Sequence, residues 1–306
     1  MSLHKKRKLR RWTVRIMLLI ILLPIATLIT VRYAGWFRMR QTDREIMATL
    51  AIHHVNAGFD TLTLRGREIE YVKTSLNDKK DNALILVHGS PGSIDAMLSF
   101  MTDTSLLVRA DLIAYDRPGF GNSGFGSSVP SLSRQADILY ALMDSLDYKQ
   151  YWLMGHSYGA PVLLLAAIRH PQRVAGICFV AGSVSPELEP ESVSWRKWID
   201  LPFVREILPI SMRVSNEELM PLRQDLIMLE DDWDRIDMPV SIIHGTKDVL
   251  VPFENLAYAK EKLTNADTVF TKVFEKESHF ILWTHEKEIV AELVKLMDYN
   301  KVKNEK

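Results

Sequence analysis

Gly155-His156-Ser157-Tyr158-Gly159 sets a serine between two glycines, after an apolar run at 151–154 and before a helix-like run at 160–169. A serine alcohol is hardly ionised at neutral pH and attacks a carbonyl poorly unless a base takes its proton. Histidine has the intrinsic pKa for that task, and a carboxylate can hold the ring and stabilise the imidazolium. A strand that ends at the serine, a sharp reversal and a new helix are what a nucleophile elbow requires. Such a turn holds Ser157 in a strained backbone region, where side chains at 155 and 159 would collide. The hydroxyl then stands above the sheet, near the positive end of the helix dipole. The same pentapeptide occurs in ordinary βα turns, so its weight comes from the flanking elements.

Those elements alternate along the chain. Residues 42–55 read as a helical connector with Ile46, Leu50 and Ile52 apolar. Residues 61–64 and 68–72 read as a hairpin joined at Arg65-Gly66-Arg67. Fully apolar runs at 83–87, 112–115, 174–180 and 240–243 have the look of buried parallel strands, and 268–274 is a weakly alternating one. Helices are expected at 93–107, 131–146, 254–263 and 284–298. This order implies a mainly parallel sheet covered on both faces. A long insertion, 182–238, carries Trp195, Trp198, Phe203, Met212, Met220, Met228 and Trp233. It reads as short helices broken at Pro202, Pro209 and Pro221, at the sheet end where a lid belongs.

The chain has 306 residues, is 47% apolar and carries no formal net charge. The balance gives no reason to expect nucleic acid as a partner. The one cysteine, Cys178, sits in an apolar strand run and allows no intramolecular disulfide. The nine histidines show no metal-ligand spacing, so no metal is expected.

The N-terminus is strongly basic from His4 to Arg11, and residues 16–31 are free of charge and mostly apolar. Thr13 and Val14, with Arg15 snorkelling, extend the run to about 19 residues. Trp12 and Trp36-Phe37 fall where interfacial aromatic belts sit. We expect an uncleaved transmembrane anchor; a cleavable signal peptide is the alternative, but no A-x-A site follows. The excess of Lys and Arg before the run puts the N-terminus in the cytoplasm and the catalytic domain on the far, extracytoplasmic side. The expected layout is a basic tail (1–15), an anchor (16–36), a connector (37–59), a core (60–182 and 239–306) and a helical lid (183–238).

From about Asp60 to Asp298 the chain resembles the α/β-hydrolase fold family. The matching pieces are His88-Gly89-Ser90-Pro91-Gly92, the loop from Asp116 to Ser123, the elbow, Gly245-Thr246-Lys247-Asp248 and Ser278-His279-Phe280. The resemblance implies an α/β fold: a mainly parallel, eight-stranded-type sheet with helices on both faces and a small lid, here preceded by the anchor. In this family the triad runs nucleophile, acid, histidine, and Ser157, Asp248 and His279 fit that order. Among rivals, Asp237 precedes its strand, Asp200 and Asp232 fall in the lid, Glu187 is the nearest acid after the preceding strand and a weak rival, and His285 is expected inside the last helix. His88, His156 and His244 hold strand-end positions and read as structural. An oxyanion hole would use the backbone N–H groups of Tyr158 and Ser90, since Pro91 has none. Arg117 reads as a brace for neighbouring loops. The implied activity is cofactor-free hydrolysis of a small-molecule ester, thioester or amide with an apolar acyl or aromatic part. Alternatives with the same triad are a proline-type aminopeptidase, holding a free amine through a lid acid (Glu187, Glu189, Glu191 or Glu217), a carbon–carbon bond hydrolase and a haloperoxidase-like enzyme. A non-catalytic binding module on this fold is a further alternative. Epoxide hydrolases and haloalkane dehalogenases use Asp where Ser157 stands.

Overall fold

The computed structural model describes residues 3–33, 40–76, 80–191, 194–199, 201, 204–205 and 208–304. Trp36, Phe37, Asp200, Pro202 and Phe203, and the side chain of Trp195, lie outside the described residues.

The strands are β1 (Asn56–Leu64), β2 (Arg67–Ser75), β3 (Asn82–Val87), β4 (Asp111–Tyr115), β5 (Gln150–His156), β6 (Val174–Val180), β7 (Val240–Gly245) and β8 (Val269–Phe274). They form one sheet in the order β1-β2-β4-β3-β5-β6-β7-β8. The β1–β2 hairpin and the β2–β4 pair are antiparallel; every other pair is parallel. Each apolar run is a strand buried on both faces, because successive side chains leave it in opposite directions. Ile85, Val87 and Leu153 join one core cluster, and Leu84, Leu86, Met154 and Cys178 join the other. Full burial of such a side chain contributes about 1.5–3 kcal/mol, so a layer on each face is strongly favoured.

The helices are α1 (Leu3–Tyr33), α2 (Asp43–Ile52), α3 (Thr104–Leu107), α4 (Leu132–Leu146), α5 (Gly159–Arg169), α6 (Ile210–Leu219), α7 (Leu222–Ile227), α8 (Glu254–Lys262), α9 (Ile281–Thr284) and α10 (Glu286–Asn304). Thr42 and Glu45 form a capping box that starts α2, and Ile46 and Leu50 are its buried residues. In the insertion, Pro209 and Pro221 stand at the starts of α6 and α7, where a missing N–H costs nothing.

Two expected helices are broken. Residues 93–107 fold as two 3-10 turns, Ile94–Met97 and Phe100–Thr102, followed by α3. Asp103 is extended, and its carboxylate accepts from the N–H groups of Ser105 and Leu106, which starts a new helix there. The closing helix divides into α9 and α10 at His285, whose φ of −130° ends the first piece. His285 is therefore a junction residue rather than a helix-interior one.

The expected transmembrane helix finds no support: among the described residues, no helix is long and apolar enough to cross a membrane. Within α1 the described side chains are those of 11–27, 29 and 30. Every residue from Ile16 to Leu23 is exposed.

Candidate active site

The turn at Ser157 closes through two tight approaches. Ser157 follows the end of β5 with φ at +53°, the left-handed region that costs an L residue energy unless the surroundings impose it. They do so here: Ser157 N–H donates to the Val180 carbonyl at 3.0 Å, and the Ser157 carbonyl accepts from Ala160 N–H at 3.1 Å. A Cβ at Gly155 would lie 2.6 Å from the Gly159 carbonyl oxygen, and one at Gly159 would lie 2.3 Å from that of Val87. Larger residues at either place would push α5 off the sheet.

Asp248 and His279 come together across the neighbouring loops. β7 ends at Gly245, and the turn after it brings Asp248 to the carboxyl end of the sheet. Its Oδ1 accepts from Leu250 N–H at 2.9 Å and Val251 N–H at 2.8 Å. Its Oδ2 lies 2.7 Å from His279 Nδ1 and 3.4 Å from His244 Nε2. Burial alone would raise the Asp248 pKa, but hydrogen bonds from His244, His279 and Val251 outweigh it and hold the carboxyl well below the usual range. A carboxylate on Nδ1 fixes the tautomer, leaving Nε2 of His279 to face a hydroxyl. Among the described contacts no hydrogen bond joins Ser157 Oγ to the ring, and in unliganded hydrolases this contact tightens only around substrate.

The other strand-end histidines are occupied. His88 Nε2 accepts from Arg117 N–H at 2.9 Å, and its Nδ1 meets the Gly89 carbonyl at 2.8 Å. Burial, then the neighbouring Arg117 charge, hold His88 well below its ordinary pKa. His156 is lowered to about 3, by burial first and the neighbouring His279 second. His244 Nε2 meets the Val251 carbonyl at 2.9 Å. Burial pushes the Cys178 thiol up to about 12, which removes it as a nucleophile.

Arg117 organises the opposite wall. Its guanidinium donates to the carbonyls of His88 and Gly89 at 3.0 and 2.9 Å and lies 4.7 Å from the centre of the Tyr158 ring. The Gly89–Ser90 peptide is trans, so holding the Gly89 carbonyl aims the Ser90 N–H the opposite way. Among the described bonds, neither the Ser90 nor the Tyr158 N–H donates to a protein carbonyl. A Cβ on Gly89 would approach Ser157 Cβ to 3.0 Å, which places this loop directly against the serine.

The charge of Arg117 is balanced by Glu218 of α6, in a buried two-pronged pair at 2.7 and 2.9 Å. Ser215 of the same helix bonds the Ser90 hydroxyl at 2.8 Å. The sequence reading missed Glu218 and Ser215. A fully buried arginine demands a carboxylate, and asking which acid could supply it was the available signal.

Ser157, Tyr158, His279 and Ser90 line one cavity of about 790 Å³ at the carboxyl end of the sheet. Leu188, Met212, Leu219, Leu222, Val249, Leu250, Phe280 and Trp283 give it a mainly apolar wall. Of the lid acids considered, Glu189 alone lines it, beside Arg196; Glu189 accepts from the Ser183 hydroxyl. Glu217 is engaged instead with Ser128, Arg205 and Arg213. Among the described residues, no group of three or more His, Cys, Asp or Glu could hold a metal ion.

Comparison with known proteins agrees with this architecture. A family model described as "alpha/beta hydrolase fold" matches residues 82–202. The chain is 28% identical over 169 residues to a dihydrolipoyllysine-residue acetyltransferase component of the acetoin cleaving system of Pseudomonas putida, covering 53% of this chain and 45% of that one. It is 28% identical over 177 residues to a 2-hydroxymuconate semialdehyde hydrolase of Pseudomonas sp. (strain CF600), covering 52% and 59%. The match thus spans about half the length of these two relatives. The crystal structure of a membrane phospholipase A shares the fold with a TM-score of 0.61 at 16% identity, covering 93% of this chain and 98% of that one. Sheet order, the turn at Ser157 and the family model agree: the chain has the α/β-hydrolase fold.

Proposed function

We propose that this chain is a serine hydrolase that cleaves a carboxylic ester, thioester or amide of an apolar substrate through an acyl-enzyme on Ser157. One observation carries the reading: His279, held by Asp248 at 2.7 Å, lines the same cavity as Ser157 on its strained turn. Ser157 Oγ attacks the carbonyl carbon as His279 Nε2 takes its proton. The carbonyl oxygen becomes an oxyanion facing the N–H groups of Tyr158 and Ser90. Collapse breaks the bond to the leaving group, which receives the proton from His279. Water then gives a proton to His279 and attacks the acyl carbon; collapse breaks the bond to Ser157 Oγ, which takes that proton back from His279 as the acid leaves. The apolar wall favours an acyl or aromatic substrate part over a charged one.

A second reading rests on Glu189, the lid acid at the cavity. It could hold a free amine, as an aminopeptidase requires. Against this, Arg196 and the Ser183 hydroxyl already face it. A carbon–carbon bond hydrolase or haloperoxidase-like enzyme would use the same triad, and substrate comparison separates them. The test is a series of p-nitrophenyl esters of increasing acyl length, with aminoacyl and diketone substrates beside it. The expected result is an ester-dependent burst that Ser157→Ala lowers by about 10⁴-fold or more. Equal turnover in Ser157→Ala would sink the reading, and exclusive turnover of aminoacyl substrates would favour the second.

We further propose that α1 holds the chain at a membrane surface. The exposed apolar block from Ile16 to Leu23 and the basic residues before it support this reading.

A further inference from the structure

The mouth of the cavity is rimmed by large apolar side chains that stay exposed among the described residues. Val249 is 86% exposed, Leu250 63%, Phe280 54%, Trp283 51% and Met212 46%, and all five line the cavity. Exposed apolar groups scattered singly need no explanation, but a continuous set around one opening marks an interaction surface. They come from the loop after β7, the loop and short helix after β8, and α6 of the insertion.

The chain itself says what lies nearby. The connector leaving α1 is fastened to this same end of the sheet. Arg40 Nε donates to Asp116, the residue after β4, at 2.9 Å, and Arg40 also pairs with Glu70 and Asp43. The Gln41 N–H donates to Asp95, which lines the cavity beside Ala96. Tyr33 ends α1, and the seven steps from there to Arg40 reach at most about 25 Å even fully extended. The end of α1 therefore lies within about that distance of the fastening point.

We infer that the apolar rim docks on the lipid bilayer that receives α1, so that substrate passes from the lipid phase into the cavity. This rests on the membrane reading of α1. Aromatic Trp283 and Phe280 suit the headgroup boundary, while Val249 and Leu250 suit the acyl region just beneath it.

The test uses the full chain in phosphatidylcholine vesicles, with an environment-sensitive fluorophore on one introduced cysteine. Leu250→Cys and Phe280→Cys report the rim. Lys149→Cys, exposed just before β5 at the opposite end of the sheet, is the reference. Buried Cys178 stays unlabelled in the folded chain. The expected result is a blue shift at both rim positions, and several-fold stronger quenching there than at Lys149→Cys by nitroxides borne on the lipid. Flotation with the vesicles is scored in parallel. A chain that floats while the rim labels stay in water overturns the docking and leaves the α1 reading standing. A chain that does not float overturns both. A blue shift that grows with protein concentration without lipid quenching assigns the rim to a second copy of the chain, and overturns the inference.

Discussion

Asp116 and Asp248 stand just past the carboxyl ends of β4 and β7, and both are buried. Each accepts two backbone N–H bonds: Asp116 from Ile94 and Asn122, both at 2.9 Å, and Asp248 from Leu250 at 2.9 Å and Val251 at 2.8 Å. The remaining partner distinguishes them. Asp116 faces Arg40, a guanidinium that never gives up its proton. Asp248 faces His279, a ring that can take one up and release it beside Ser157. One backbone device thus serves as a latch at one place and, in the proposed mechanism, as the back of a base at the other.

The largest expected effect comes from Asp248→Asn. An amide there no longer fixes the tautomer or balances the imidazolium, and kcat is expected to fall by about 10⁴. Circular dichroism checks that the fold survives, and a variant that keeps full kcat would move the acid to another carboxylate. Asp116→Ala should do the reverse. It removes one of the three carboxylates around Arg40, leaving Glu70 and Asp43, and frees the Ile94 and Asn122 amides, with an expected loss of about 1–3 kcal/mol in urea unfolding. Its kcat per folded molecule should stay within about tenfold of the parent. A stable Asp116→Ala that has lost turnover would contradict the division between latch and base.

The smallest effect is in pH. His156 is lowered from its ordinary value to about 3, by burial first and His279 second. Between those values the unfolded chain binds a proton that the folded chain does not, so stability must decline as pH falls from about 6.5 toward 3. Asp248, held below the usual carboxylate range, adds to the loss at still lower pH. His156→Gln should make the upper part of the thermal-midpoint profile shallower, with buried His88 supplying the rest of the slope, while keeping the acid limb. An unchanged profile would show that His156 protonates freely in the folded state.

The sheet was legible because each inner strand is an unbroken apolar run between turn residues, a pattern set locally. The elbow was legible for the same reason: Gly155 and Gly159 are fixed by contacts with near neighbours and with β3. Glu218 was not legible. In sequence it looks like any helix acid, and its burial exists only because Arg117, far away along the chain, waits for a counter-charge. The break at 103 escaped notice because Asp103 sits in a helical pattern and caps only the turn after it. Arg40 read as one basic flank residue among several; its role depends on Asp116 and Glu70, which only folding brings near.

The central claim is that Ser157 is an activated nucleophile. A fluorophosphonate probe tests it most directly, with the labelled peptide mapped in the parent chain and in Ser157→Ala. The account predicts one label on the peptide carrying Ser157, slowed strongly in Asp248→Asn and absent in Ser157→Ala. A parent chain left unlabelled at Ser157, or a Ser157→Ala variant labelled at the parent's rate, would contradict it.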